Sequence, residues 1–394
     1  MMLPKKLQHK LNKRKEDNAF RTLGSSANLI DFSSNDYLGF SKSKALHDIS
    51  INILKTQHTV QNGATGSRLL SGNHPLYDIV EQHISTFHNA ESALIFNSGY
   101  DANLGFFSCV PQRHDIILYD EYCHASIRDG ITMSHAKAYK FKHNDLLNLE
   151  QLINEHSRFV SESQNSIYVV TESIFSMDGD APDLINLSQL CKAHHAHLVV
   201  DEAHAIGVFG NNGNGLIAQH QLETHVFARI VTFGKALGAH GAAILCSQKL
   251  RDYLINFSRP FIYTTALPPH TLALIKAAYD TLQNHKSDTS SLHSNDILRL
   301  HNNIKFFTSE IALLKMQEHF IDSNSAIQCC VIPGNDNAKH ISNLLHEKGF
   351  NVKAILSPTV PKGKERLRFC IHSFNTEKEI SEVLRILTTF VKTL

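Results

Sequence analysis

The chain reads as an α/β protein, with a large, mostly parallel seven-stranded sheet domain followed by a smaller α+β C-terminal domain. Three observations predict this. Short β-rich runs alternate with helical stretches through the middle of the sequence, as a parallel sheet requires. Most of those runs are apolar throughout instead of alternating, which suits strands covered on both faces. Finally, 394 residues exceed the roughly 100–200 of a single domain.

Taken in order, the basic opening Lys5 to Lys15 predicts an exposed amphipathic helix, within an N-terminal arm over residues 1–40. Residues 41–275 are expected to hold the large domain. Its strands are predicted at Ala93–Asn97, Asp115–Tyr119, Ala138–Phe141, Ile167–Thr171, His197–Asp201, Ile230–Phe233 and Ala242–Cys246. Helices are predicted in the gaps, among them Pro75–Phe87 and Asp183–Ala196. The polar stretch Asn284–Asp296 looks like a loop between helices. Residues 276–394 then supply three further β runs, Ala326–Ile332, Asn351–Ile355 and Arg366–Ile371, among helices, which suits the smaller domain.

Composition excludes several classes. An apolar fraction of 42% is ample for a packed core, and 19% charged is too low for a disordered chain. Lysine plus arginine (38) nearly cancels aspartate plus glutamate (37), so a net charge of +1 gives no electrostatic case for nucleic acid or an anionic membrane. No stretch approaches the roughly 20 apolar residues of a membrane span, and the N-terminus lacks the continuous apolar region of a secretory signal. Seven cysteines at irregular spacing, with no CxxC, predict reduced thiols in a cytoplasmic protein.

Informative residues cluster just past the carboxyl ends of the predicted strands, the edge where open α/β sheets bind ligands. They are Ser98-Gly99-Tyr100, His124, Ser176 with Met177-Asp178-Gly179, Asp201 with His204, and Lys235. Lys235 lies in an apolar, glycine-flanked segment, where burial lowers a lysine's pKa and makes its amine a usable nucleophile; alternatively, its stem packs on apolar surface while its head reaches water. Asp201 ends the apolar strand LVVD, and an unpaired buried carboxylate is expensive. A pyridinium nitrogen is one partner for it, and a helix N-cap is the other reading. Lysine as Schiff base with an acid at a pyridinium nitrogen is the signature of pyridoxal 5'-phosphate. Backbone amides of Ser98-Gly99-Tyr100 at a strand-to-helix turn, and the Thr232 hydroxyl, can bind its phosphate. The glycine-rich pieces 63–66 and 210–215 lack the strand-turn-helix context of a dinucleotide fingerprint and read as turns. Cys191, His194, His195 and His197 have no metal-ligand spacing, so no metal is expected.

VVTESIFSMDGD (169–180), VVDEAHAIGVFG (199–210) and VTFGKALGAHGAAILCS (231–247) resemble the α-oxoamine synthases, pyridoxal-phosphate enzymes of the aspartate-aminotransferase fold, fold type I. The match runs from Asp31-Phe-Ser-Ser-Asn-Asp-Tyr-Leu-Gly39 to Pro358-Thr-Val-Pro361 and Arg366-Leu-Arg368. By this resemblance Lys235 carries the cofactor, Asp201 pairs with its ring nitrogen and His124 stacks on the ring. Ser176 and His204 match residues at the ring oxygen, and Gly99, Tyr100 and Thr232 match cofactor and phosphate positions. Asn35 and Arg368 match groups holding the amino-acid carboxylate; Arg21 and Thr359 match acyl contacts. Thr264 and Thr265 match a segment reaching a neighbouring subunit's phosphate, which implies a homodimer with shared active sites. The implied activity is decarboxylative condensation of L-alanine with a pimeloyl thioester on acyl-carrier protein or CoA, in biotin biosynthesis. The alternatives are sibling reactions of glycine with acetyl-CoA or succinyl-CoA, or of serine with a long acyl-CoA. Leu356 departs from the arginine often found three residues before the threonine of PTVP, Ala205 from the glycine after DEAH, and Tyr77 from a histidine.

Overall fold

The computed structural model describes residues 3–24, 28–161, 165–284 and 296–391. The polar segment 285–295, expected to be a loop, lies outside the described residues. The chain divides into two compact units: a larger one, Asp36–Phe175 with Ala181–Ile297, and a smaller one, Met1–Asn35 with Ser176–Asp180 and Leu298–Leu394.

The larger unit is built on seven strands: β1 (Ser92–Phe96), β2 (Ile116–Asp120), β3 (Lys137–Phe141), β4 (Ile167–Glu172), β5 (His197–Asp201), β6 (Ala228–Thr232) and β7 (Ala242–Cys246). Each lies within two residues of where the apolar runs predict it. Their order across the sheet is β1-β7-β6-β5-β4-β2-β3. Pairing is parallel from β3 to β6, and only β7 runs against its neighbours. The reversal at β7 returns β1 to the common direction, so six strands end at one edge. The run-on apolar character follows from burial: β1, β4, β6 and β7 are buried along their whole length. Edge strand β3 is the exception. Four of its five residues are exposed, and Lys137 and Lys140 guard its unpaired side.

Beneath the sheet, Leu94, Phe106, Phe107, Ile117, Val170, Val199, Ile230 and Ile244 form one apolar core. Burying each such side chain stabilises the fold by about 1.5–3 kcal/mol. Phe106 and Phe107 come from helix Gly99–Cys109. From β2 the chain steps outward to β3, then crosses back to β4 on the other side of β2. Such a switch opens a crevice at the carboxyl ends of the strands.

The smaller unit carries three antiparallel strands, β8 (Ile327–Val331), β9 (Lys353–Ile355) and β10 (Arg366–Cys370), in the order β9-β10-β8. Helices Asn335–Glu347 and Glu377–Val391 belong to the same unit. The N-terminal segment joins it because Ile30 and Asp31 pair in parallel with Phe350 and Asn351. Helix Lys5–Glu16 buries none of its residues, as its charge predicts.

The compact units do not follow the expected breaks after residues 40 and 275. Residue 275 lies inside helix Pro269–Asn284, whose Leu272, Ile275 and Tyr279 are fully buried. That helix packs on helices Lys44–Thr56 and Pro75–Phe87 of the larger unit, and a helix so held cannot be a boundary. No helix among the described residues is long and apolar enough to cross a membrane.

Candidate active site

Strand β5 ends on Asp201 and its neighbour β6 on Thr232, with Asp201 in register with Ile230. Lys235 follows three residues after Thr232, half-buried in the turn. Asp201 is 5% exposed. Its Oδ1 accepts the Ala203 N–H at 2.9 Å, the capping role open to it, while Oδ2 accepts from Asn103 Nδ2 at 2.7 Å. Asn103 stands on helix Gly99–Cys109 and also donates to Ser126 Oγ at 3.1 Å. Ser126 reaches His124 Nδ1 twice, through Oγ at 2.8 Å and through its N–H at 3.2 Å. A backbone N–H pointed at Nδ1 makes that nitrogen an acceptor, so the neutral ring carries its proton on Nε2. One polar chain therefore joins Asp201 to His124.

Burial holds the His124 imidazole below its usual range, Asp201 opposes that fall, and Lys235 deepens it. Glu172, the last residue of β4, accepts the His124 N–H on Oε1 at 2.6 Å. Its carboxyl is pushed up to about 8, first by burial and then by Asp201, with Lys235 pulling the other way. Lys235 thus acts electrostatically on both His124 and Glu172. His204 is buried, with Nδ1 2.7 Å from the hydroxyl of fully buried Tyr37.

The phosphate-binding expectations fall at the end of β1. Ser98 caps helix Gly99–Cys109 by accepting the Asp101 N–H at 3.0 Å. Gly99 is required there, because a Cβ on it would stand 2.6 Å from Thr232 Cγ2. Asn97 Nδ2 donates to Thr264 Oγ1 at 3.0 Å and to the Thr265 carbonyl at 2.7 Å, which brings that segment to the same strand end. Tyr100 is exposed, and its hydroxyl donates to Asp129. In the smaller unit, Arg368 on β10 donates from Nε to the Ser176 carbonyl at 2.7 Å and from Nη2 to Asn35 Oδ1 at 3.0 Å. Arg21 donates to Thr359 Oγ1 at 3.2 Å. Thus Asn35, Ser176 and Arg368 form one group, and Arg21 and Thr359 another.

Five neighbours of these groups carried no role in the sequence reading: Tyr37, Asn97, Asn103, Ser126 and Glu172. Glu172 had a signal, since it ends an apolar strand as Asp201 does. Asn103 had a weaker one, a lone amide on the apolar helix face that carries Phe106 and Phe107.

The residues fit pyridoxal 5'-phosphate. A helix N-terminus with a bare glycine against Thr232 is built for a phosphate, and Asp201 is a buried acid held by neutral donors. Asn103 Oδ1 is buried without a hydrogen-bond partner beside it. A lysine amine at this sheet edge completes what that class of enzyme requires.

The comparisons agree with that class. The aminotransferase class I and II model matches residues 27–387. The chain is 38% identical over 379 residues to the 8-amino-7-oxononanoate synthase of Emericella nidulans, covering 92% of this chain and 89% of that protein. Among solved structures, 8-amino-7-oxononanoate synthase from Francisella tularensis is 30% identical with a TM-score of 0.76, covering 93% of this chain and 98% of that one. A serine palmitoyltransferase from S. paucimobilis with a pyridoxal-phosphate adduct bound shares the fold at a TM-score of 0.85 and 23% identity, covering 99% of this chain and 97% of that one. The chain belongs to the aminotransferase class I and II family, and within it to the α-oxoamine synthases, which are pyridoxal-phosphate-dependent acyltransferases. Its cofactor is pyridoxal 5'-phosphate.

Proposed function

We propose that the enzyme condenses L-alanine with a pimeloyl thioester, releasing carbon dioxide and the free thiol and giving 8-amino-7-oxononanoate for biotin synthesis. The observation that carries this reading is the 38% identity, over 92% of the chain, to a protein bearing that activity's name.

Bound at Lys235, the cofactor supplies an electron sink that lets a proton leave the amino acid's Cα. Asp201 would hold the proton on the ring nitrogen. It is already oriented by Asn103 and Ala203, so the carboxylate need not reorganise. His124, its tautomer set by Ser126, would lie against the ring of the bound cofactor. The Lys235 amine would take the Cα proton and later return one. An amine with a pKa near the working pH contributes about 10²–10⁴-fold as a general base. His204, oriented by Tyr37, would meet the ring oxygen, a role the family resemblance also gives Ser176, and Ser98, Gly99, Tyr100 and Thr232 would take the phosphate. Arg368 and Asn35 hold the amino-acid carboxylate; the Ser176 carbonyl and Asn35 amide fix the guanidinium fork. Arg21 and Thr359, hydrogen-bonded to each other, receive the acyl chain. Thr264 and Thr265 reach the phosphate of a second copy in a cytoplasmic homodimer.

The test is a matrix of alanine, glycine and serine against pimeloyl-CoA, pimeloyl-acyl-carrier protein, acetyl-CoA, succinyl-CoA and palmitoyl-CoA, read by product mass and carbon dioxide. Product from alanine with a pimeloyl thioester is expected. Turnover confined to glycine or serine would replace this reading with a sibling reaction, and the two pimeloyl carriers distinguish protein from CoA.

A further inference from the structure

Three neighbouring strands of the larger unit end in acids. Across the sheet they are β2, β4 and β5, finishing on Asp120, Glu172 and Asp201, which are 0%, 3% and 5% exposed. The outer two are well supplied with donors. Asp120 accepts from His143 Nδ1 at 2.9 Å and from the N–H groups of Tyr122 at 2.8 Å and Asn144 at 2.9 Å. Asp201 has Asn103 and Ala203. Glu172 sits between them, in register with Asp201, and its Oε1 accepts the N–H of His124. The charges facing it are Asp201 and Asp120 from the flanking strands and Lys235 from the turn after β6.

The turn from Asp120 to Ala125 is therefore pinned by two buried carboxyls. Asp120 takes Tyr122, and Glu172 takes His124, the N-cap of helix Ala125–Met133. Ser126 holds the His124 ring at its far end. We propose that Glu172 is the positioning residue for His124, setting through its main-chain hydrogen bond where the imidazole stands at the ligand edge of the sheet. This rests on the reading of His124 as the residue lying against the cofactor. With burial against its charge, and Asp201 beside it, Glu172 accepts the N–H as a neutral acid below about pH 8. A glutamine would serve the same geometry; a residue without an acceptor would not.

The experiment compares the parent enzyme with Glu172→Gln and Glu172→Ala by hydrogen exchange of the His124 amide, visible circular dichroism of bound pyridoxal phosphate, and kcat and KM with alanine. Slow His124 exchange in the parent and the glutamine variant is expected, with the dichroic band retained in both. In Glu172→Ala the amide should exchange rapidly, the band should weaken, and kcat should fall by up to about 100-fold, the cost of misplacing a group by about 1 Å. KM for the thioester should change little. Fast exchange of the His124 amide in the folded parent would overturn the proposal, and so would an alanine variant with an unchanged band and kcat. If the alanine variant fails to fold, the glutamine variant decides: loss of protection and of the band there is equally fatal. The exchange and dichroism arms use neither amino acid nor thioester, so a failed substrate assignment leaves them readable.

Discussion

Asp201 and Glu202 are consecutive, and alternation along the chain sends them to opposite faces of the sheet. Glu202 is fully buried and fully matched. Its Oε2 accepts from Arg229 Nε at 2.9 Å and Nη2 at 2.7 Å, and its Oε1 accepts the Ile217 N–H at 3.0 Å. Arg229 gives two further donors to the carbonyls of His88, at 2.9 Å, and Asn214, at 3.0 Å. Burial, with Arg229 next, holds His88 well below its usual range, so no second cation stands beside the guanidinium. Gly215 belongs to this network, with φ +96° and a Cβ position 2.6 Å from Glu202 Oε1, so the glycine-rich stretch 210–215 is part of the fold's ionic core. On the other face Glu172 and Asp201 stand side by side in register, with Lys235 acting from the next turn. A buried acid with its own arginine is architecture. Buried acids that crowd one another, with a displaced pKa among them, mark chemistry.

That contrast can be broken from either side. The largest effect is expected from Lys235→Ala. Turnover should drop by at least about 10³-fold, within the range for removing a positioned base, and the visible absorbance of bound pyridoxal phosphate should vanish. The thermal melt of the cofactor-free chain should stay close to the parent's; retained absorbance with near-normal turnover would remove Lys235 from its role. Next comes Arg229→Leu, which strands Glu202 and should cost about 3–5 kcal/mol in denaturant unfolding. A small loss there would mean that the face taken as architecture is not held by its ion pair. Asp201→Asn should do the reverse. It removes one of two adjacent buried acids, so stability is expected to hold or rise, while exchange of alanine's α-proton slows by about 10²-fold in line with the loss of a preorganised charge. Unchanged proton exchange would count against the ring-nitrogen assignment.

The smallest effect is one of pH. Glu172 is raised in the folded chain, so above the ordinary 4.5 of a glutamate the folded state keeps a proton that the unfolded state has released. Its contribution is therefore complete below about pH 4.5 and is lost as pH climbs through about 8. His88 and His124, both lowered, give the opposite trend, losing stability as pH falls below the ordinary 6.5. Subtracting the cofactor-free Glu172→Gln stability curve from the parent's isolates the glutamate, and the difference should slope downward between those limits. A flat difference would mean that Glu172 titrates normally.

Much of this is legible in the sequence. The seven apolar runs mark the strands because a parallel sheet covered on both faces leaves no room for alternation. Lys235 and Asp201 stand out because charged residues in apolar runs need a reason. Asn103, Ser126 and Tyr37 did not stand out. Each is an ordinary polar residue in its own stretch and acquires a role only through a partner, such as Asp201 for Asn103 or His204 for Tyr37, 98 and 167 positions away. The break expected at 275 failed for the same reason, since what holds helix Pro269–Asn284 to the larger unit is its packing on helices more than 180 residues earlier.

What the chain alone determined is the kind of protein: the alternation of strand and helix, the lysine and acids at strand ends, and the family motifs are all local patterns. What tertiary structure decided is which acid does what. Asp201, Glu202 and Glu172 have nearly identical local settings, each a carboxylate at the end of an apolar run. Only pairing across the sheet gives Glu202 an arginine, Asp201 an amide, and Glu172 the main chain of His124. The energy of a buried charge depends on what surrounds it within a few ångströms, and that neighbourhood is assembled by folding.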